Sequence, residues 1–320
     1  MVPPRIAALR KLMKKSQVDA YLIPSTDAHQ NEYLPEMWER RQWLSGFTGS
    51  AGDLVITQKA AGLWTDSRYF LQAEEQLKGS GIQLFKMGLP ETPDLKSWLK
   101  DHLKPGDRVG IDPKVISWQQ ADDMKNFFQN WQLKLKPVKE NLVDKIWKDQ
   151  PDFPSDPVKI HPLKYAGRSV GEKLQDLRQQ LKNENCQAHI VTTLDSIAWL
   201  FNIRGTDIAY NPLVISYAMV TEKKAFLFIP KAKVTKSLQK HLGDRIEILD
   251  YSKFSKRLKK RISKKMRIWL DPSTTSWSIF RLLNGNCDLF WKQSPLVLMK
   301  AIKNKNEIKG MKSAPLAISL

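Results

Sequence analysis

The groups with which this chain could do chemistry are few: five histidines, two cysteines and some short polar clusters. His29, His102, His161, His189 and His241 stand singly, without a partner at metal-ligand spacing. There is no His-Glu-x-x-His, Gly-x-x-x-x-Gly-Lys-Ser/Thr, Gly-x-Gly-x-x-Gly or Gly-x-Ser-x-Gly, so zinc-protease, P-loop, dinucleotide and serine-hydrolase chemistry lack their minimum residues. Cys186 and Cys287 cannot build a disulfide framework or a four-ligand zinc site; free thiols in a reducing compartment, the cytoplasm, are expected. Asp27 and His29, within Ser25-Thr26-Asp27-Ala28-His29-Gln30-Asn31-Glu32-Tyr33, could form an acid/base or metal pair. One histidine and one carboxylate fall short of a closed site, and an Asx-turn with a capped helix uses the same residues more simply. Gly46-Phe47-Thr48-Gly49-Ser50-Ala51-Gly52 could cradle a phosphate, but a loop-to-strand turn needing positive φ explains it at least as well. In Trp64-Thr65-Asp66-Ser67-Arg68-Tyr69-Phe70, Asp66 and Arg68 read first as an N-cap with a surface ion pair. The functional alternative has the planar, permanently charged fork of Arg68 leaving a loop to hold a substrate carboxylate or carbonyl.

The elements that must position these groups come from a chain of 320 residues, 42% of them hydrophobic, enough for two cores at roughly 150 residues per domain. No apolar run approaches the ~18 residues of a spanning helix; the best, Pro212 to Val220, is interrupted by Ser216. Residues Met1 to Lys15 mix five cations with apolar residues and carry no signal-peptide core. The net charge of +19 is concentrated: from Lys231 to Arg267 there are 14 basic and 3 acidic residues, which is +11. Leu238, Leu242, Phe254, Leu258 and Ile262 recur there at helical steps, so the lysines are placed on the outer faces of amphipathic helices. Only Tyr251 and Phe254 could stack on bases, so nucleic acid is not the expected partner.

The same order of elements occurs twice, offset by about 160 residues. A helix from Arg5 to Lys15 and the strand Ala20 to Ile23 are matched by Glu172 to Lys182 and His189 to Val191. Trp43-Leu44 and Trp199-Leu200 each precede a glycine turn. The hairpin Asp53 to Thr57 with Ala61 to Thr65 is matched by Leu213 to Val220 with Ala225 to Ile229. A helix and strand follow, Tyr69 to Leu77 with Ile82 to Phe85, and Lys233 to Leu242 with Ile246 to Leu249. Finally Val109 to Pro113 before Ser117-Trp118 corresponds to Ile268 to Pro272 before Ser276-Trp277, the Asp-to-Trp spacing being six in both. Each copy is therefore expected to be an α/β domain with a mixed sheet flanked by helices. Domains at 1–150 and 161–300 are expected, separated by an extended linker at 151–160 introduced by the proline-rich Asp149 to Pro157.

Pro24 to Tyr33, Arg41 to Gly52, Trp64 to Phe70, Val138 to Trp147 and Leu194 to Gly205 together resemble cytosolic Xaa-Pro aminopeptidase, or aminopeptidase P, of the long three-domain type. The resemblance implies two tandem creatinase-type N-terminal domains. In the family they are followed by a pita-bread domain that uses two divalent metal ions, typically manganese, to remove the N-terminal residue from X-Pro peptides. By this resemblance Arg68 matches an arginine that reaches into the active site and contacts substrate. No catalytic residue and no metal ligand is carried over, and no cofactor is expected in this chain. Lys300 to Ala314 resembles the first helix of the catalytic domain. The resemblance thus implies that 301–320 is the truncated start of that domain, that the chain alone is inactive, and that X-Pro peptide is bound only with a catalytic domain. Five lysines from Lys300 to Lys312, unpartnered Ile302, Ile308 and Met311, and a helix stop at Pro315 predict a mobile tail from about Asn304. The competing class is a non-catalytic module that forms homo-oligomers, as the family's N-terminal domains do, or, more remotely, an anion or RNA binder acting through 231–267.

Overall fold

The computed structural model describes the backbone of residues 1–318 and the side chains of residues 1–314. Met1–Phe153 with Ser276–Ser278 form one compact unit, and Pro154–Thr275 with Ile279–Leu320 form another.

In the first unit the chain runs α1 (Val2–Lys15), β1 (Ala20–Ile23), α2 (Arg40–Ser45), β2 (Asp53–Thr57), β3 (Ala61–Thr65), α3 (Phe70–Gln76), β4 (Gln83–Lys86), α4 (Leu95–His102), β5 (Arg108–Ile111), α5 (Trp118–Gln129) and β6 (Lys134–Pro137). One six-stranded sheet results, in the order β4-β3-β2-β1-β5-β6. The β1–β2 and β2–β3 pairs are antiparallel and the others parallel. Helix α1 opens on two prolines, tolerated where main-chain donors lack helical partners, and buries Ile6, Leu9 and Met13 at three- and four-residue steps. Gly46 ends α2 in the left-handed region at φ 77°, where a side chain would be strained.

From Pro154 onward the chain runs β7 (Lys159–Ile160), α6 (Leu163–Ala166), α7 (Val170–Asn183), β8 (Ala188–Val191), α8 (Leu194–Leu200), β9 (Ile203–Arg204), β10 (Tyr217–Thr221), β11 (Ala225–Phe228), α9 (Lys236–Leu242), β12 (Ile246–Leu249), α10 (Phe254–Arg261), β13 (Arg267–Leu270), α11 (Trp277–Leu283, its first two residues counted with the first unit), β14 (Asp288–Trp291), α12 (Pro295–Ala301) and α13 (Lys305–Ile318). The large sheet of the second unit has the order β12-β11-β10-β8-β13-β14, the same arrangement as the first, beside a small β7–β9 pair.

The repeat holds to the register. Ala20 faces Thr57 and Val109; Ala188 faces Thr221 and Ile268. The turn after each central hairpin strand is built alike: the Thr57 hydroxyl accepts from Ala60 N, and that of Thr221 from Lys224 N. Asp112 and Asp271 end their strands by accepting main-chain donors two residues on, the local capping that an Asp-Pro stop predicts. The edge strands β6 and β14 escape the sequence pattern, being four residues long and largely polar or half-exposed, as edges usually are. The second hairpin strand starts at Tyr217 rather than Leu213, because the preceding loop finds other partners: Asp207 N donates to Leu213 O, and Ile215 N to the Asp207 carboxylate.

One position of the repeat differs in chemistry. Tyr21 in the first sheet is matched by His189 in the second, each fully buried. His189 Nδ1 lies 3.0 Å from Trp269 O and Nε2 2.8 Å from Ser294 Oγ. Burial pushes its imidazole down to about 4, against roughly 6.5 in an unfolded chain. The unfolded state therefore binds the proton more readily. This contribution is complete above about pH 6.5 and is lost as pH falls towards 4, by about 3 kcal/mol. Urea unfolding at pH 7 and pH 4.5 should show that His189→Gln loses distinctly less stability on acidification than the parent; equal losses would refute this role.

At the C-terminal side, Leu296 to Met299 are helical in α12, where Pro295 takes the first turn, and do not extend a strand. Helix α13 begins with a reciprocal cap. Asn304 Oδ1 accepts from Glu307 N and Glu307 Oε2 accepts from Asn304 N. Asn304 Nδ2 donates to Ala166 O, and Trp199 Nε1 donates to Glu307 Oε1 at 3.0 Å. The backbone stays helical through Pro315 to Ile318, since one proline deletes one main-chain donor. Leu298, Ile302, Ile308 and Met311 are exposed.

Candidate functional site

Arg68 sits where β3 gives way to a 3-10 turn, Ser67–Tyr69. Asp66 remains extended and accepts from Arg68 N at 3.1 Å, capping the turn. The same carboxylate takes Arg68 Nε at 3.0 Å and Nη2 at 2.8 Å, so the cap and the surface ion pair read from the sequence are one arrangement. The guanidinium carbon lies 5.2 Å from the Tyr69 ring centre, and the Tyr69 hydroxyl is 2.8 Å from Ser50 Oγ, which seats the turn on the glycine-rich loop. Hydrogen bonding to Arg68 holds the Asp66 carboxyl below its ordinary value. The Arg68 side chain is 58% exposed. With a carboxylate bracing one edge of the fork, the remaining donors face solvent and can grip a carbonyl or carboxylate.

The two neighbouring clusters turn inward. Arg41 donates from Nε to Ser25 Oγ and from Nη1 to Phe47 O, each at 2.7 Å, and from Nη2 to Gly49 O. Burial pushes this guanidinium down to about 10. A loop that gathers its carbonyls around an internal cation is a structural turn, not a phosphate cradle. Asp27 is fully buried and accepts from His29 N, Asn31 N and Asn31 Nδ2. Its lone pairs are spent on the Asx-turn, and the His29 ring leans against Trp38 at 5.9 Å.

Other potential chemistry is equally committed. Burial raises both thiols, that of Cys287 to about 11, so neither is a ready thiolate. His102 stacks on Trp98, and His241 Nε2 lies 2.9 Å from Phe201 O. Among the described residues no three His, Cys, Asp or Glu side chains are grouped so as to hold a metal ion, so this donor set does not fit a dinuclear metal centre.

Sequence reasoning placed the cations of 231–267 outside, and the structure corrects this at Lys233. It is fully buried, 2.6 Å from the buried Asp207 carboxylate, and also donates to Asp156 O at 3.3 Å. Lys173 is buried too, bonded to Trp199 O at 2.8 Å and Asn202 Oδ1 at 2.7 Å, and burial lowers its ammonium to about 8. A signal for Lys173 existed, since it lies in phase with Val170, Leu174 and Leu177 on the apolar stripe of α7. No such phase marks Lys233.

Two models of the creatinase/prolidase N-terminal domain match, at residues 5–146 and 149–307. The chain belongs to the creatinase/prolidase N-terminal domain family. This tandem is 40% identical over 96% of its length to a probable Xaa-Pro aminopeptidase P of Pyrenophora teres f. teres, covering 48% of that protein. It is 38% identical over 99% of its length to aminopeptidase P2 of Arabidopsis thaliana, covering 49% of it. The crystal structure of the X-prolyl aminopeptidase of Caenorhabditis elegans, described as a cytosolic enzyme with a di-nuclear active site, superposes with a TM-score of 0.91 at 31% identity. It covers 98% of this chain, which covers 53% of it. The creatinase-type tandem thus spans about half the length of these relatives. No helix among its described residues is long and apolar enough to cross a membrane.

Proposed function

We propose that this tandem is the N-terminal part of a cytoplasmic Xaa-Pro aminopeptidase, in which Arg68 contacts the peptide while residues outside the two domains hold the metal ions. The observation that carries the reading is the likeness to the Caenorhabditis elegans enzyme over 98% of this chain and 53% of that one. The donor set supports the division of labour, since a dinuclear centre needs a carboxylate-rich cage. The exposed Leu298, Ile302, Ile308 and Met311 offer an apolar face on which the remainder of such an enzyme could pack.

The 320-residue chain with an X-Pro-X tripeptide and excess Mn²⁺ is expected to show no turnover above a metal-free blank; turnover would overturn the placement of the metal site elsewhere. With the C-terminal half of the Caenorhabditis elegans relative supplied in trans, Arg68→Ala should lower kcat/KM about tenfold or more, as loss of a charge-assisted contact does. Its fold should persist, because an exposed ion pair contributes little. An unchanged rate in an active complex would remove Arg68 from the site.

A further inference from the structure

We infer that the groove between α7 and α9 is a binding site for a phosphomonoester-class dianion, gripped by Arg178 and Arg245. The groove encloses about 1060 Å³, and both arginines line it. Arg178 is held by a bond from Nε to Thr221 O at 3.0 Å, while its Nη2 is buried without a partner. Arg245 is exposed, in the turn that follows Gly243. Glu222 and Asp244 also line the groove, but among the described residues no carboxylate forms an ion pair with either guanidinium. Burial, and then the charge of Arg245, lower the Arg178 guanidinium from its ordinary value.

The internal repeat supplies the comparison. By the shared register Arg178 corresponds to Arg10, Lys224 to Ala60 and Arg245 to Gly81. In the first unit Arg10 Nε donates to Thr57 O at 2.8 Å and Nη2 to Ala60 O at 3.1 Å, so both of these donors are taken by backbone, and the position equivalent to Arg245 is a glycine. In the second unit the Nε bond is kept, Nη2 is released, and a second guanidinium replaces the glycine. Two close cations with a buried, unpaired donor carry a desolvation and repulsion cost that a shared anion removes. A carboxylate brings one charge, whereas a phosphomonoester brings nearly two and three acceptor oxygens, matching two planar forks.

Titration of the full chain with inorganic phosphate and with phenyl phosphate, followed by calorimetry at 50 mM salt, tests this. Saturable binding is expected, weakened about tenfold or more by Arg245→Gly, which installs the residue of the first unit, and likewise by Arg178→Gln. A change of that size is what a charge-assisted contact supplies. The double variant Lys256→Gln/Lys260→Gln on the exposed face of α10 should bind as the parent does. Non-saturable uptake, an affinity indifferent to Arg245→Gly, or equal loss in the α10 variant would overturn the site. Benzoate binding as tightly as phenyl phosphate would overturn the assignment to a dianion.

Discussion

Lys233→Met should cost about 3–5 kcal/mol, because it leaves the Asp207 carboxylate buried and uncompensated. The pair has side-chain exposures of 0% and 1% at 2.6 Å, so water cannot replace the lost ammonium. Asp207 also accepts from Ile215 N at 2.7 Å, and Lys233 donates to Asp156 O; the pair therefore clamps the segment before β7 and the loop before β10 to one point. Burial already raises the Asp207 carboxyl, with Lys233 opposing it. Without Lys233 the carboxylate will take up a proton more readily, so the deficit should shrink as pH is lowered. The double variant Lys233→Met/Asp207→Asn keeps an acceptor for Ile215 and removes the stranded charge, and should recover much of the loss. Urea unfolding of the three proteins checks this. A single variant within 1 kcal/mol of the parent would show that water or another cation reaches Asp207.

Trp199→Ala should destabilise the second unit by a comparable ~3–5 kcal/mol, the usual cost of deleting a large core aromatic. The ring is 8% exposed, lies 4.2 Å under the Lys173 ammonium, and donates through Nε1 to Glu307 at the start of α13. Its removal opens a cavity, exposes a buried cation to an unfilled space and cuts one tie to α13. Limited proteolysis provides a second reading: cuts between Lys305 and Lys312 should come earlier in Trp199→Ala than in the parent. Trp43, its counterpart in the repeat, is only half-buried, stacked on Trp147 at 5.3 Å with Arg5 above it at 4.3 Å. The two tryptophans of the repeat are therefore not buried equally. In each Trp-Leu pair it is the leucine, Leu44 or Leu200, that is fully enclosed. Trp43→Ala should accordingly cost less, about 1–2 kcal/mol, and a larger loss than for Trp199→Ala would contradict this ordering.

Much of the architecture is written locally and could be read without coordinates. The short, continuously buried runs Ala20 to Ile23 and Ala188 to Val191, the hairpin turns after Thr57 and Thr221, and the Asp112-Pro113 and Asp271-Pro272 strand ends each depend on neighbours a few residues away, so their order reveals two mixed α/β sheets. The cap at Asp66 is local in the same way, which is why the Arg68 turn was legible. What tertiary structure alone decided is where the cations went. Arg41 and Lys233 look in sequence like any solvated base, and the phase of Lys173 marks it only as facing inward; their partners lie at Gly49, Asp207 and Asn202, and no local period encodes that pairing. The difference between Arg10 and Arg178 is of the same kind. Both occupy one position of one repeated helix, and only the fold shows that Ala60 takes Nη2 of the first while Nη2 of the second is buried unpaired in a groove that Arg245 also lines, because a buried donor's energy depends on which groups the chain brings back to it.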